Sequence, residues 1–205
     1  MNIQLLSDLH LEVHPDFTPV PAPDADVLVL AGDIGSYQMG SALTARGDAD
    51  FGLGRFSPLG AWPTPVLFVP GNHEYDGMDF DHAHARLRAT CKRLGILWLE
   101  QACVVLGGVR FAGTTLWSDF DALGPAADAQ GAALAQQLRA REKAFRAANF
   151  HLRKTGGTRG GTPFLADRVR EQSLACQQWL RSTLAEPFEG TTVVVTHFAP
   201  SLRSS

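Results

Sequence analysis

Four short segments of the chain carry side chains that bind metal ions, and each segment follows an apolar run. They are Asp8-Leu9-His10, Gly32-Asp33, Gly71-Asn72-His73-Glu74 and Thr196-His197. Carboxylate, imidazole and carboxamide groups in one site suit Mn, Fe, Zn, Co or Ni better than Ca. If the segments converge, the set can hold two adjacent cations. Two such cations bind a phosphoryl group and activate water for attack on it.

The apolar runs before these segments predict β-strands, and the amphipathic stretches between them predict helices. The long runs are residues 3–6, 26–30, 65–69 and 191–195, and they are continuous, which is typical of strands buried on both faces. Shorter strands are expected at residues 97–99, 103–106 and 110–113, and helices at residues 79–94, 129–148 and 165–184. Strands that alternate with helices indicate an α/β fold.

The predicted strand ends explain how distant residues can meet. In open α/β sheets, ligand sites form beyond the carboxyl ends of the strands. Asp8, Asp33, Asn72 and His197 each follow such an end. We treat residues 1–205 as a single domain, with loop excursions at residues 36–63 and 149–162, which are rich in glycine and show little periodicity.

Composition narrows the class of protein. A chain of 205 residues with a net charge of −3 has no broad attraction for nucleic acid or anionic membranes. No apolar run approaches the roughly 18 residues of a membrane span, and the N-terminus lacks a signal-peptide pattern. Cys91, Cys103 and Cys176 are far apart with no CxxC spacing. We therefore expect a cytoplasmic protein with reduced cysteines and no membrane partner.

The order of the four segments resembles the calcineurin-like metallophosphoesterase superfamily, from residue 3 to about residue 200. Two further strings are similar to a bacterial metallophosphatase subgroup. They are Thr114-Thr115-Leu116-Trp117-Ser118-Asp119-Phe120 and Thr196-His197-Phe198-Ala199-Pro200-Ser201. The resemblance implies a four-layer α/β/β/α sandwich, a dinuclear metal centre and the hydrolysis of phosphate mono- or diesters by a metal-bound hydroxide.

The resemblance also implies a role for each site residue. Asp8 and His10 would bind one cation, Asn72 and His197 would bind the other, and Asp33 would bridge both. His73 would be the catalytic acid that protonates the leaving oxygen. Either Glu74 or Asp76 would orient it. The cofactors would be two divalent ions, with Mn, Fe, Zn, Co and Ni left open, and the substrate a phosphorylated small molecule or nucleotide.

The chain departs from the family pattern after His197. That pattern continues with Gly-His-x-His, which gives one histidine to each cation, and no such motif follows here. We expect the C-terminal part of the sandwich to be missing through truncation. A homo-oligomer that covers the gap is the other reading. Two alternatives to the hydrolase also stay open: a non-catalytic protein-binding module on the same fold, and an inactive truncated form with impaired metal binding.

Overall fold

A computed structural model describes residues 1–122, 130–201 and 203–204 of the chain. The first sheet is parallel throughout and its strands lie in chain order. Its members are β1 (Ile3–Leu6), β2 (Val27–Ala31), β3 (Val66–Val69) and β4 (Leu97–Trp98). The carboxyl ends of β1, β2 and β3 therefore meet at one edge, as the sequence predicts.

The second sheet has three strands and mixed direction. It contains β5 (Ala102–Leu106), β6 (Val109–Thr114) and β9 (Thr192–Thr196), in the order β5-β6-β9. β5 and β6 form an antiparallel hairpin, whereas β9 pairs with β6 in parallel, with Thr196 opposite Thr114. This parallel register brings the end of β9, and His197 after it, to the same edge as the end of β6.

Four α-helices and one small hairpin complete the described chain. The helices are α1 (Ala42–Ala45), α2 (Phe80–Leu94), α3 (Ala132–Thr155) and α4 (Ala166–Ala185). The hairpin consists of β7 (Thr158–Arg159) and β8 (Thr162–Pro163). Short 3-10 turns span Leu53–Phe56 and His73–Tyr75. The side chain of Asp79 accepts a hydrogen bond from the backbone of the first turn of α2, which explains where that helix begins.

Alternation along the strands divides the apolar residues into two cores. One core lies between the first sheet and the buried face of α2. The strand residues in this core are Leu28, Leu30, Val66 and Phe68. Their neighbours Val27, Val29, Leu67 and Val69 face the second sheet, where they meet Phe111 and Val195. Arg110, on the opposite face of β6 from Phe111, hydrogen-bonds the carbonyl of Glu186 at the end of α4. The layers therefore run α2, first sheet, second sheet, α4, and the predicted α/β sandwich is confirmed.

The sequence predicted that all four long strands are buried on both faces, and this was wrong for β1 and β9. β2 and β3 are buried throughout, but β1 alternates between exposed and half-buried residues. Ile3 is 40% exposed, Leu5 is 62% exposed, and Val194 in β9 is 42% exposed. β1 and β9 lie at the ends of their sheets, so each has a neighbouring strand on one side only. An apolar run in the sequence predicts a strand, but it does not show whether that strand lies in the middle or at the edge of its sheet.

Both predicted loop excursions are more ordered than the sequence suggests. Residues 149–155 continue α3, and the hairpin of β7 and β8 follows, so the prediction of a loop over residues 149–162 was wrong there. The segment 36–63 contains α1 and a 3-10 turn. It also buries five large apolar side chains in the core: Leu43, Phe51, Leu53, Phe56 and Trp62. Glycine lowers helix propensity only locally, and tertiary packing overrides it.

Ala129, the first residue of the predicted helix 129–148, lies outside the described residues. In the parts of the chain that are described, none of the helices has the length and apolarity that crossing a bilayer requires.

Candidate metal centre

The predicted site residues lie in the turns that follow the parallel strands. Asp8 and His10 follow β1, Asp33 follows β2, Asn72 follows β3 and His197 follows β9. The turns after β1 and β2 are joined by their backbones. The amide of Asp8 donates to the carbonyl of Gly32, and the amide of His10 to that of Asp33, both at 3.0 Å. The structure therefore brings all five predicted metal-binding residues to one edge of the molecule.

Three of these residues have a backbone conformation that side chains rarely adopt. The φ angle is 52° for Asp8, 46° for His10 and 53° for Asp33. Left-handed conformations of non-glycine residues carry a free-energy cost and concentrate at functional sites. The surrounding hydrogen bonds hold the three residues in place. Positive φ is therefore found at three of the predicted metal-binding residues, although it also occurs at Phe51, Gln101, Leu116 and Phe120.

Two glycines allow the turns to approach each other. A Cβ atom on Gly32 would lie 2.5 Å from Nδ1 of His197, and the φ of Gly32 is +87°. A Cβ atom on Gly71 would overlap the carboxylate of Asp33. Glycine is required at both positions because any side chain would displace a residue of the site.

Asp33 is common to two groups of potential ligand atoms. One group contains His10, Asp33 and His73, and the other contains Asp8, Asp33 and His197. In each group the atoms lie within 4.8 Å of one another. Asp33 is 3% exposed and occupies the middle of the arrangement. The two candidate ligand groups therefore share one carboxylate.

The grouping differs from the roles expected by resemblance. Asp8 lies with His197, whereas the expectation joined Asp8 to His10. His73, expected to bind no cation, lies with His10, and the two rings are 4.9 Å apart in a T-shaped arrangement. The assignment of each residue to one cation stays a prediction.

Two of the histidines are oriented by buried carboxylates. Nδ1 of His10 is 2.9 Å from Oε1 of Glu12, and Nδ1 of His73 is 2.7 Å from Oδ2 of Asp76. Glu12 and Asp76 are 3% and 4% exposed. A carboxylate that accepts from Nδ1 leaves Nε2 of the same ring free to face the site, which is how metal-binding histidines are commonly held.

His197 is oriented in the same sense by a backbone group. Its Nδ1 lies 2.8 Å from the carbonyl oxygen of Ala31. Its Nε2 lies 3.4 Å from Oδ1 of Asn72 and 3.4 Å from Oδ2 of Asp33. A ring nitrogen, a carboxamide oxygen and a carboxylate oxygen thus converge. His73 and His197 both present Nε2 to Oδ2 of Asp33.

The structure distinguishes the two acidic residues that the sequence left open. Asp76 contacts the ring of His73, whereas Glu74 does not. Glu74 instead accepts three backbone N–H hydrogen bonds, from Asp33, Ile34 and Gly71. Glu74 therefore joins the turn after β2 to the turn after β3. Burial, opposed by the backbone N–H groups, raises its pKa to about 7.

Glu12 was missed by the sequence reasoning. It stands two residues after His10, and Oε2 of its carboxylate also accepts from the amide of Ser36 at 3.2 Å. The signal was an acidic residue between two apolar residues, Leu11 and Val13, directly after the motif. The neighbouring sequence does not show that this carboxylate points into the protein.

The electrostatics of the site favour positive charge beside Asp33. Burial acts to raise the pKa of Asp33, but the hydrogen bond and charge of His197, together with His73, outweigh it and hold that pKa low. The hydrogen bond with Asp76 raises the pKa of His73 to about 9 against the opposing effect of burial. Burial likewise acts to lower the pKa of His197, but Asp33 raises it to about 9. The protonated rings of His73 and His197 balance the negative charge of Asp33, and bound cations would balance it in their place.

The donor set fits divalent cations. It offers two aspartates, a carboxamide oxygen and imidazole nitrogens whose other ring nitrogen is already engaged. Oxygen and nitrogen donors of this kind suit Mn, Fe, Zn, Co or Ni, and a thiolate is not needed. The residues that would hold cations are Asp8, His10, Asp33, Asn72 and His197, with His73 within reach.

Comparison with known proteins agrees with this geometry. The family model described as calcineurin-like phosphoesterase matches residues 1–205. No curated protein matches the chain. The matched span includes all four segments that form the site.

Proposed function

Because the chain belongs to the calcineurin-like phosphoesterase family, we propose that it hydrolyses phosphate mono- or diesters at a centre of two divalent cations. The observation that carries the proposal is the position of Asp33, whose carboxylate is common to both ligand groups. Divalent cations, when bound, supply Lewis acidity for the phosphate oxygens and lower the pKa of a nearby water.

Asp33 and its neighbours prepare the site for this chemistry. The buried carboxylate would be shared by both cations; one ligand group adds His10 and His73 to it, and the other adds Asp8 and His197, with Asn72 beside His197. The backbone amide of His73 donates to Oδ1 of Asp33 at 2.8 Å, which fixes the orientation of the carboxylate. Oδ2 then faces the ring nitrogens of His197 and His73, at 3.4 and 3.9 Å.

His73 supplies the proton that the leaving group needs. Asp76 accepts from Nδ1 and stabilises the charged ring, so the proton on Nε2 faces the site. In the reaction a bond forms between a water oxygen and phosphorus, and the bond from phosphorus to the ester oxygen breaks. The proton of Nε2 passes to that ester oxygen, which leaves as an alcohol.

The test is hydrolysis of 4-nitrophenyl phosphate and bis(4-nitrophenyl) phosphate by purified protein with added Mn²⁺, together with metal analysis. We expect activity that a chelator removes and that added Mn²⁺ restores. Asp33→Asn should lose at least 100-fold in kcat/KM, since it weakens a ligand common to both groups. Asp167→Asn, at an exposed position in the first turn of α4, is the matched control and should retain full activity.

Two results would count against the proposal. Activity that survives Asp33→Asn would remove the carboxylate from the reaction. Stoichiometric binding of cations without turnover of either ester would favour the protein-binding module.

A further inference from the structure

A buried polar cluster lies beside the metal centre but shares no residue with it. Its members are Glu100, Thr114 and Thr115, which are 6%, 0% and 0% exposed. The hydroxyl of Thr114 donates to Oε1 of Glu100 at 3.0 Å. The backbone amide of Thr115 donates to Oε2 of the same carboxylate. Burial of so many polar groups is costly unless each has a partner, and here the partners are present.

Thr115 also connects the two loops that carry Asn72 and His197. Its hydroxyl lies 2.8 Å from the carbonyl oxygen of Pro70, two residues before Asn72. Its own carbonyl accepts from the amide of Phe198, next to His197, at 3.1 Å. Pro70 follows a strand of the first sheet, and Phe198 follows a strand of the second. One residue therefore spans the two sheets at the edge where the site forms.

The hydroxyl of Thr115 lies between two oxygen acceptors. Oε2 of Glu100 and the carbonyl oxygen of Pro70 are both within reach of that hydroxyl, at 2.9 and 2.8 Å. Burial raises the pKa of Glu100. Because the hydroxyl of Thr115 has one proton, it donates either to Glu100 or to Pro70, and both acceptors hold Thr115 in the same place.

We propose that Thr115, held by Glu100, is a positioning residue that sets the separation of Asn72 and His197, and through it the affinity for one of the two cations. The inference rests on the function proposed above. Oδ1 of Asn72 and Nε2 of His197 lie 3.4 Å apart, each on a loop that Thr115 contacts. Binding geometry tolerates displacements of only about 0.5 Å, so a small opening between the loops weakens the shared site.

Thr114 and Thr115 provide a matched pair of variants. Both are fully buried threonines at the end of β6, and both contact Glu100. Thr115→Val removes a hydroxyl that contacts both Glu100 and Pro70. Thr114→Val removes a hydroxyl that contacts Glu100 and neither loop. Loss of one buried hydroxyl should reduce stability similarly in the two variants. Only Thr115→Val should alter the cation site.

The measurement is Mn²⁺ binding by calorimetry and by electron paramagnetic resonance. Thr115→Val should weaken one of two cation sites by about 10- to 100-fold, as loss of a supporting hydrogen bond does in other metal sites. Thr114→Val should bind both cations within twofold of the wild-type affinity. Glu100→Gln, whose carbonyl oxygen can still accept from the amide of Thr115, should bind better than Glu100→Leu. Equal affinities in the two threonine variants, or equal losses, would overturn the inference.

Amide hydrogen exchange tests the same inference without a cation. Exchange of the amides of residues 71–74 and 197–199 should accelerate in Thr115→Val and not in Thr114→Val. Unchanged exchange in both variants would refute the positioning role. If the wild-type protein binds no Mn²⁺, the proposed function fails, and hydrogen exchange alone decides whether Thr115 holds the loops.

Discussion

Cation binding at the site should release protons, because the histidine that would bind the cation is protonated without it. The pKa of His197 is raised to about 9 by the neighbouring carboxylate of Asp33. Only neutral imidazole binds a metal ion, so protons and cations compete for Nε2. Below pH 9 the protonated ring dominates, and affinity must rise as pH rises. Above pH 9 the affinity should level off.

The size of the effect follows from the distance between the working pH and that pKa. At pH 7, two pH units below a pKa of about 9, competition with the proton lowers the apparent affinity by about 100-fold. Affinity for the cation at His197 should therefore rise about tenfold for each pH unit from 7 to 9. About one proton should be released as that cation binds at pH 7.

Calorimetric titration with Mn²⁺ in two buffers of different ionisation enthalpy measures the number of protons released. His197→Asn removes the proton on that ring, so cation binding should be weaker and should release about one proton fewer than in the wild type. His82→Asn, an exposed histidine on α2, is the matched control and should behave as wild type. Affinity that stays constant from pH 6.5 to pH 8.5, or binding without proton release, would refute the reasoning.

Two further predictions concern the proposed catalytic acid, His73, and the turn at Gly32. His73→Ala should retain cation binding but lose kcat on alkyl phosphate esters by about 100-fold or more. The loss should be smaller on nitrophenyl esters, because their leaving group needs little protonation. Steady-state kinetics on both esters checks this prediction, and equal losses on both, or loss of the cations, would contradict the acid role. Gly32→Ala should unfold at lower temperature and bind Mn²⁺ more weakly, since its Cβ would meet His197. Gly47→Ala has the same sign of φ but open space around it, so thermal melts should show only the smaller backbone cost, and the same Mn²⁺ affinity as wild type.

Most of the framework that carries the site was predictable from local sequence. The continuous apolar runs of β2 and β3 predicted buried strands because both faces of those strands lie in a core. The helix over Phe80–Leu94 followed from its apolar spacing. The α3 extension to Thr155 was missed because its last turns are basic and precede two glycines, and composition of that kind resembles a loop.

Supporting residues were the least predictable part of the site. Glu74 and Asp76 stand two positions apart, and the sequence offered no means to choose between them as the partner of His73. The choice depends on which way each side chain points in the 3-10 turn that begins at His73. Glu12 and Glu100 read as ordinary acidic residues, although both are buried next to loops that are distant in sequence.

The sequence by itself determined which residues follow each strand. Apolar runs form the strands and glycines end them, and both signals involve only a few neighbouring positions. It thereby predicted that Asp8, Asp33, Asn72 and His197 would share one edge. The tertiary structure alone decided that Asp33 lies between two ligand groups, that Asp76 orients His73, and that Thr115 joins the two sheets beside the site. These relations depend on distances between segments that are far apart in the chain; Ala31 and His197, for example, are 166 positions apart. Such distances are set by the packing of whole layers, and no local pattern encodes them.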